Sequence, residues 1–245
     1  MQRNQDIKGF SLLELIVVIV IVGVISAVAY PNFSSWKQER EVRAATEKVA
    51  NMISNLSTQV SRGSFSYSQF WVKTISGRSP VFFTKGMRNS TYSNILNNGK
   101  TPDCKMTLTG TWDTINSSNT VTIDKQFYNN YIEYYDPEGG FDEIKIALQF
   151  DGQSAVCFGK SGNYYKTMGK LPLAAGNRNM TIEGMVTSNY IILCPAKNAK
   201  SNKCPRGGKD LETPAYLIKW SRFGNISKYK WVINSQTKNG SWIRQ

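Results

Sequence analysis

The chain contains no histidine. Without an imidazole it cannot form the Ser-His-Asp or Cys-His sites of nucleophilic catalysis, nor any histidine-ligated metal site. The four cysteines include no Cys-x-x-Cys pair, which also argues against structural zinc. Its two Gly-Gly pairs do not fit a phosphate-binding loop that precedes a helix. These absences favour a protein that is not an enzyme and that uses no metal and no cofactor.

Acidic residues are scarce in the C-terminal third. Residues 160–245 carry 15 Lys and Arg against 3 Asp and Glu, whereas residues 1–159 carry 15 against 14. The net charge of +13 therefore comes almost wholly from this third. Such an imbalance is typical of a solvated basic face. It also leaves open an anionic partner, whether nucleic acid, acidic polysaccharide, membrane headgroups or an acidic neighbouring subunit.

Charge is nearly missing from residues 10–30, where Glu14 is the one charged residue among 21. A helix of this length rises roughly 30 Å, which is the thickness of a bilayer's hydrocarbon core. The run is too long for an ordinary secretory signal, and no small-x-small cleavage site follows it. We therefore expect one membrane-spanning helix with its N-terminus in the cytoplasm.

The residues around this run form a specific arrangement. A short polar leader ends at Gly9, Phe10 opens the apolar run, Glu14 follows, and Gly23 and Pro31 stand further along. This arrangement resembles the N-terminus of type IV prepilins and pseudopilins over about the first 30 residues. The resemblance implies that a prepilin peptidase cuts between Gly9 and Phe10 on the cytoplasmic side, and that the new amino group is then methylated.

The resemblance also implies a role for Glu14. A carboxylate at the bilayer centre costs roughly 2.5–3.5 kcal/mol, so such residues are usually functional. Glu14 lies only about 6 Å along a helix from Phe10, so it can reach the cytoplasmic interface in a single subunit. In a filament of this family, its partner is the freed ammonium of a neighbouring subunit's first residue. The alternative is that Glu14 merely tolerates a shallow site in an anchor. Gly23 and Pro31 are predicted positions of a helix kink.

Helical periodicity continues beyond the apolar run. Apolar residues recur at three- and four-residue steps, as on one face of an amphipathic helix. They are Val42, Ala45, Val49, Met52, Ile53, Leu56 and Val60. We predict one helix over residues 10–62. Residues 1–9 are then a leader that is removed, 10–30 a transmembrane and assembly helix, 31–62 its amphipathic continuation, and 63–245 a β-rich head.

Short β-branched and aromatic runs between turn residues indicate that the head is an antiparallel sheet. The candidate strands are residues 70–74, 81–84, 106–112, 120–123, 144–150, 155–159, 181–186, 190–194, 215–221 and 228–233. This number leaves room for two layers. Asp151-Gly152 indicates a hairpin, residues 127–135 are ambiguous, and residues 89–99 are predicted to form a mobile loop. The fold class is α+β, a long N-terminal helix packed on an antiparallel β-sheet-rich head.

Four cysteines lie beyond the predicted span, on the oxidising side of a bacterial inner membrane, so two disulfides are expected. Three pairings are possible. Cys194 and Cys204 are close in sequence and enclose a polar loop, which favours Cys194–Cys204 together with Cys104–Cys157.

Two charged groups in the head are candidate binding sites. If residues 215–221 and 228–233 pair as a hairpin, Lys219, Lys228 and Lys230 would form a basic stripe with Arg222 nearby. Such a stripe would bind phosphates without sequence preference, and the binding would weaken with salt. The acidic group Asp136, Glu138, Asp142 and Glu143 does not have the spacing of an EF-hand, so we interpret it as a solvated turn, with calcium as the alternative.

Three classes of function are consistent with these patterns. The leading hypothesis is a structural subunit, minor rather than major, of a type IV pilus-like filament that assembles through its N-terminal helix. Its partners would be other pilin subunits, the prepilin peptidase and the inner membrane, with the head in the periplasm and then in a pilus or pseudopilus. A close variant of this hypothesis is a pseudopilin of a type II secretion system. The second class is a DNA-binding or adhesive pilin that acts through its basic C-terminal region, and the third is a membrane-anchored enzyme or simple anchored domain.

Overall fold

The computed structural model describes residues 11–73, 79–99, 131–135, 137, 145–148, 154–160, 164–166, 180–182, 185–187, 190–200, 203–221 and 224–245. The leader, Phe10, Cys104, Arg222, the acidic turn and the predicted strands 106–112 and 120–123 lie outside these residues.

A 50-residue helix, α1 (Leu12–Ser61), runs through the N-terminal quarter of the chain. Ser11 is its N-cap, and Arg62 ends it, followed by Gly63 with a φ of +79°. The predicted helix over residues 10–62 is confirmed to within two residues at its start and one at its end. The helix continues through residue 31, so Pro31 does not end it.

In the part of the head that the structure describes, the strands form two five-stranded antiparallel sheets and one smaller sheet. The first has the order β3-β2-β1-β5-β6, with β1 (Tyr67–Lys73), β2 (Val81–Met87), β3 (Tyr131–Tyr135), β5 (Ser154–Gly159) and β6 (Tyr164–Lys166). The second has the order β12-β11-β10-β9-β4, with β4 (Ile146–Leu148), β9 (Tyr190–Pro195), β10 (Tyr216–Trp220), β11 (Ile226–Ile233) and β12 (Gly240–Arg244). The predicted antiparallel β-sheet-rich head is confirmed, and its described strands form two separate large sheets.

Smaller elements complete the described fold. Strands β7 (Met180–Ile182) and β8 (Met185–Thr187) form a separate two-stranded sheet. Helix α2 (Asn89–Asn97) follows β2, and two short 3-10 helices, Ala196–Asn198 and Gly208–Asp210, follow β9.

The main core lies where the C-terminal half of α1 packs against both sheets. All of the apolar residues that the helical period predicted are buried, and Thr46 and Ala50 are buried beside them. The predicted residues are Val42, Ala45, Val49, Met52, Ile53, Leu56 and Val60. They contact Phe70, Phe82 and Phe158 of the first sheet and Ile191, Leu193, Ile218 and Trp220 of the second in one cluster. A second cluster lies on the other face of the second sheet around Leu217, Tyr229 and Trp231. One face of the second sheet therefore holds α1, and the other face has a core of its own.

Three local predictions are wrong. Strands β4 and β5 do not form a hairpin around Asp151-Gly152, because β4 pairs with β9 and β5 pairs with β1. Residues 181–186 are not one strand, since Ile182 of β7 pairs with Met185 of β8 in a tight antiparallel pair. The predicted mobile loop over residues 89–99 contains α2. In the first case, pairing with distant apolar strands overrides a local turn signal.

Candidate assembly helix and its attachment to the head

The N-terminal part of α1 packs against none of the other residues that the structure describes. Between Leu12 and Ile25, every large apolar side chain exposes at least 47% of its surface, and Leu12 exposes 77%. The apolar side chains occupy consecutive positions from Leu15 to Val22, so they cover all sides of the helix. This segment is available for contact with other molecules along its whole circumference.

Among the residues that the structure describes, no helix combines the length and the hydropathy needed to cross a membrane. The predicted span over residues 10–30 stays a prediction.

Glu14 lies at the start of α1 and takes part in its cap. The Ser11 backbone N–H donates to Glu14 Oε2 at 3.4 Å, and the Leu13 N–H donates to Ser11 Oγ at 3.2 Å. This is a capping box, in which two backbone donors of the first turn are satisfied reciprocally. Gly9 and Phe10, the predicted cleavage residues, lie outside the described residues. The predicted partner of Glu14, the ammonium of a neighbouring subunit's first residue, belongs to another chain.

Gly23 has open space around it. A Cβ built on this glycine would have no atom within 4 Å, and α1 passes through the position without a break. The hydroxyl of Ser26 donates to the Val22 carbonyl at 2.7 Å. Packing among the described residues therefore does not require a glycine at this position.

Aromatic side chains follow the apolar run on the same helix. Phe33 and Trp36 contact each other with ring centroids 5.7 Å apart, and both remain exposed. The Arg40 guanidinium lies 5.6 Å from the Trp36 ring centroid, within the range of a cation–π contact. This pair marks the point where the exposed part of α1 meets the part that the head covers.

Two ion pairs join α1 to the second sheet. Lys228 Nζ lies 2.5 Å from Glu47 Oε2, and Lys230 Nζ contacts Glu39 Oε1. The Tyr216 hydroxyl also donates to Glu39 Oε1 at 3.2 Å. The hydrogen bond from Lys230 lowers the pKa of Glu39. Burial, followed by the Glu39 charge, raises the pKa of Tyr216 to about 12.

The predicted basic stripe does not form. In the β10–β11 register, Ile218 stands opposite Lys228, Tyr216 opposite Lys230, and Lys219 opposite Ser227. Directly opposed residues share a face, so Lys219 lies on the other face of the sheet from Lys228 and Lys230. Those two lysines point to α1, where carboxylates hold them.

The aromatic residues near the predicted stripe do not support base stacking either. Trp220 and Trp231 are 1% and 4% exposed, and stacking with bases needs accessible rings. Arg222, the fourth cation of the prediction, lies outside the described residues.

The cysteines follow the predicted pairing where the structure describes them. Cys194 and Cys204 are joined by a disulfide with Cα atoms 5.9 Å apart. Cys157 is disulfide-bonded as well, while its predicted partner Cys104 lies outside the described residues. Next to the Cys194–Cys204 loop, Lys200 Nζ lies 2.5 Å from Asp210 Oδ1.

Comparison with protein families bears on the same N-terminal residues. Residues 4–30 match the prokaryotic N-terminal methylation motif. The chain carries the N-terminal signal of type IV pilins and pseudopilins. The signal covers the Gly9–Phe10 junction, Glu14 and most of the exposed apolar segment. It implies processing by a prepilin peptidase, anchoring in the inner membrane and assembly with pilin subunits. Neither among curated proteins nor among solved structures does the chain have a significant match.

The sequence analysis did not predict that glutamates on α1 would form ion pairs with Lys228 and Lys230. Glu39 and Glu47 stand eight residues apart on one helix, and Lys228 and Lys230 alternate on one strand. The glutamates are roughly 12 Å apart along the helix and the lysines roughly 7 Å apart along the strand, so spacing alone does not pair them. Only the packing of α1 on β11 brings each lysine to its glutamate.

Proposed function

We propose that the chain is a minor structural subunit of a type IV pilus-like filament. After removal of residues 1–9, residues 10–30 anchor the subunit in the inner membrane with the head in the periplasm. The same helix then packs among the helices of other subunits in the filament. A pseudopilus of a type II secretion system uses the same features, and the genes next to this one would separate the two systems.

One observation carries the proposal: α1 has an apolar N-terminal part whose large side chains are all exposed, and a C-terminal part that the head buries. A helix that is apolar all round belongs in a membrane or in the core of an assembly. Together with the methylation motif over residues 4–30, this supports successive packing of one segment against lipid and then against sibling helices. The size of the head and its basic C-terminal third favour a minor subunit over the main one.

The experiment is N-terminal sequencing and intact mass measurement of the protein purified from membranes with and without a prepilin peptidase. We expect a mature chain that begins with methylated Phe10. Gly9→Leu should block cleavage, while Gly23→Leu, which also places a large side chain on a glycine, should not. A chain that keeps Met1 in the presence of the peptidase would favour a simple anchored domain instead.

A further inference from the structure

Three contacts fix the direction of the second sheet along α1. The turn before β11 lies at Ser57, since a Cβ on Gly224 would come 2.0 Å from Ser57 Oγ. Further along β11, Lys228 contacts Glu47 and Lys230 contacts Glu39. Strand β11 therefore runs antiparallel to α1. Its end, and the turn to β12, lie at the end of the head from which the exposed apolar part of α1 emerges.

The level that this turn reaches can be estimated from the Lys230–Glu39 pair. Ile233 is three residues beyond Lys230, about 10 Å along a strand. The same distance back from Glu39 is about seven helical residues, which is the level of residue 32. The turn over residues 234–239 extends further still. It is a defined turn, because the Asn234 N–H donates to the Asn239 carbonyl at 2.8 Å and the Lys238 N–H to the Asn234 carbonyl at 2.9 Å.

The chemistry at this end of the head is mixed apolar, aromatic and basic. Phe33 and Trp36 on α1, and Ile233 on β11, expose 61%, 54% and 39% of their surfaces. Lys238 in the turn is exposed, and Arg40 lies beside Trp36. We call this set, Phe33, Trp36, Ile233 and the β11–β12 turn over residues 234–239, the basal surface.

The position of the basal surface points to one occupant. Trp36 is six residues beyond residue 30, the end of the proposed span, which is roughly 9 Å along a helix. Headgroup layers add roughly 5–7 Å on each side of the hydrocarbon core, and aromatic residues with nearby Lys or Arg concentrate there. Phe33, roughly 5 Å beyond residue 30, and Ile233, near the level of residue 32, fall within such a layer, and Trp36 stands just beyond its outer edge. We propose that the basal surface rests in the periplasmic headgroup layer while the subunit waits in the inner membrane. The inference rests on the proposed function, because it needs residues 10–30 in a bilayer.

Spin labels on the full chain test this contact. The labelled variants are Gln236→Cys in the β11–β12 turn, Asn225→Cys in the turn at the other end of β11, and Val20→Cys in the apolar segment. Cys157, Cys194 and Cys204 are disulfide-bonded, so these native cysteines do not compete for the label. Each variant is placed in nanodiscs of phosphatidylcholine and phosphatidylglycerol, and power saturation is measured with oxygen and with a water-soluble nickel chelate.

We expect the label at 236 to lose access to the nickel chelate relative to 225, and to remain more accessible than 20. In a Phe33→Ser/Trp36→Ser background, the label at 236 should regain that access. Both side chains are exposed, so the head should keep its fold. Equal nickel access at 236 and 225 would overturn the inference while leaving the anchor intact.

Two other results would also overturn it, for different reasons. If the label at 20 is as accessible to nickel as that at 225, the membrane anchor itself fails. If the label at 236 is protected equally in concentrated detergent micelles without lipid, and dilution removes the protection, a second copy of the chain covers the basal surface instead.

Discussion

Glu14 combines two features that a single substitution can separate, a capping hydrogen bond and a negative charge. Glutamine can keep the side-chain contact to the Ser11 N–H, since both Glu and Gln serve in capping boxes, but it removes the charge. If the charge meets a neighbouring subunit's ammonium, Glu14→Gln and Glu14→Ala should both abolish or strongly reduce filaments. Electron microscopy of surface filaments, with membrane fractionation of the subunit, measures this.

The matched comparison is between the two variants. Normal filaments from Glu14→Gln with defective ones from Glu14→Ala would mean that the cap matters and the charge does not. In either variant we expect the subunit to remain in the membrane fraction, because insertion depends on the apolar run rather than on Glu14.

Gly224 and Gly63 have nearly the same backbone conformation, with φ of +80° and +79°, in different surroundings. An alanine in this left-handed region costs about 1–2 kcal/mol at either position. At Gly63 no atom lies within 4 Å of the added Cβ, whereas at Gly224 it would clash with Ser57. Gly224→Ala should therefore lower the free energy of unfolding well below that of Gly63→Ala, as measured by urea titration. Equal losses would show that the turn is not held against α1.

At the scale of elements, α1 is one helix with two different tasks. Leu56 is fully buried in the main core, while Leu15 exposes 56% of its surface. Leu56→Ala should destabilise the head by about 2–5 kcal/mol, because it leaves a cavity. Leu15→Ala should leave the urea unfolding of the head unchanged and affect only filament yield. A stability loss from Leu15→Ala would mean that the N-terminal part packs against the head after all.

The elements that the sequence predicted well are those with a long, regular pattern. The three- and four-residue steps from Val42 to Val60 identified both α1 and its buried face. Strand β12 and the three-residue strand β6 were missed. Asn239-Gly240, at the start of β12, is a typical turn sequence, and β6 is too short to show a period. Helix α2 was missed because its Asn- and Ser-rich sequence has weak intrinsic helix propensity.

The ion pairs between α1 and the second sheet make the stability of the whole molecule depend on pH. Because Lys230 lowers the pKa of Glu39 below its ordinary 4.5, the stabilisation by the charged carboxylate is complete above that value. It is lost as the pH falls through the lowered pKa. Since Glu39 is 42% exposed, the contribution should be at most about 1 kcal/mol.

Thermal unfolding measured between about pH 3 and pH 7 reports this contribution, because that pH range spans the titration of carboxylates. Glu39→Gln should lose that part of the acid dependence. Tyr216→Phe should retain most of it, because the hydrogen bond from Lys230 is the main cause of the lowered pKa. Full acid dependence in Glu39→Gln would assign the effect to other carboxylates.

For the whole molecule, the sequence predicted the class of fold and the N-terminal signal but not how the sheets are assembled. Pairing of β4 with β9 and of β5 with β1 joins strands far apart in the chain, and no local pattern encodes such choices. The basic stripe failed for a related reason. The sequence shows that both strands carry lysines, but the β10–β11 register decides on which face of the sheet each lysine lies.

The uncovered first third of α1 has a consequence for transport. A helix that is hydrophobic on every side is not stable as an isolated segment in water. On the proposed function, the subunit must therefore be handed over directly, so that the growing end of the fibre touches the bilayer at the moment a new subunit leaves it.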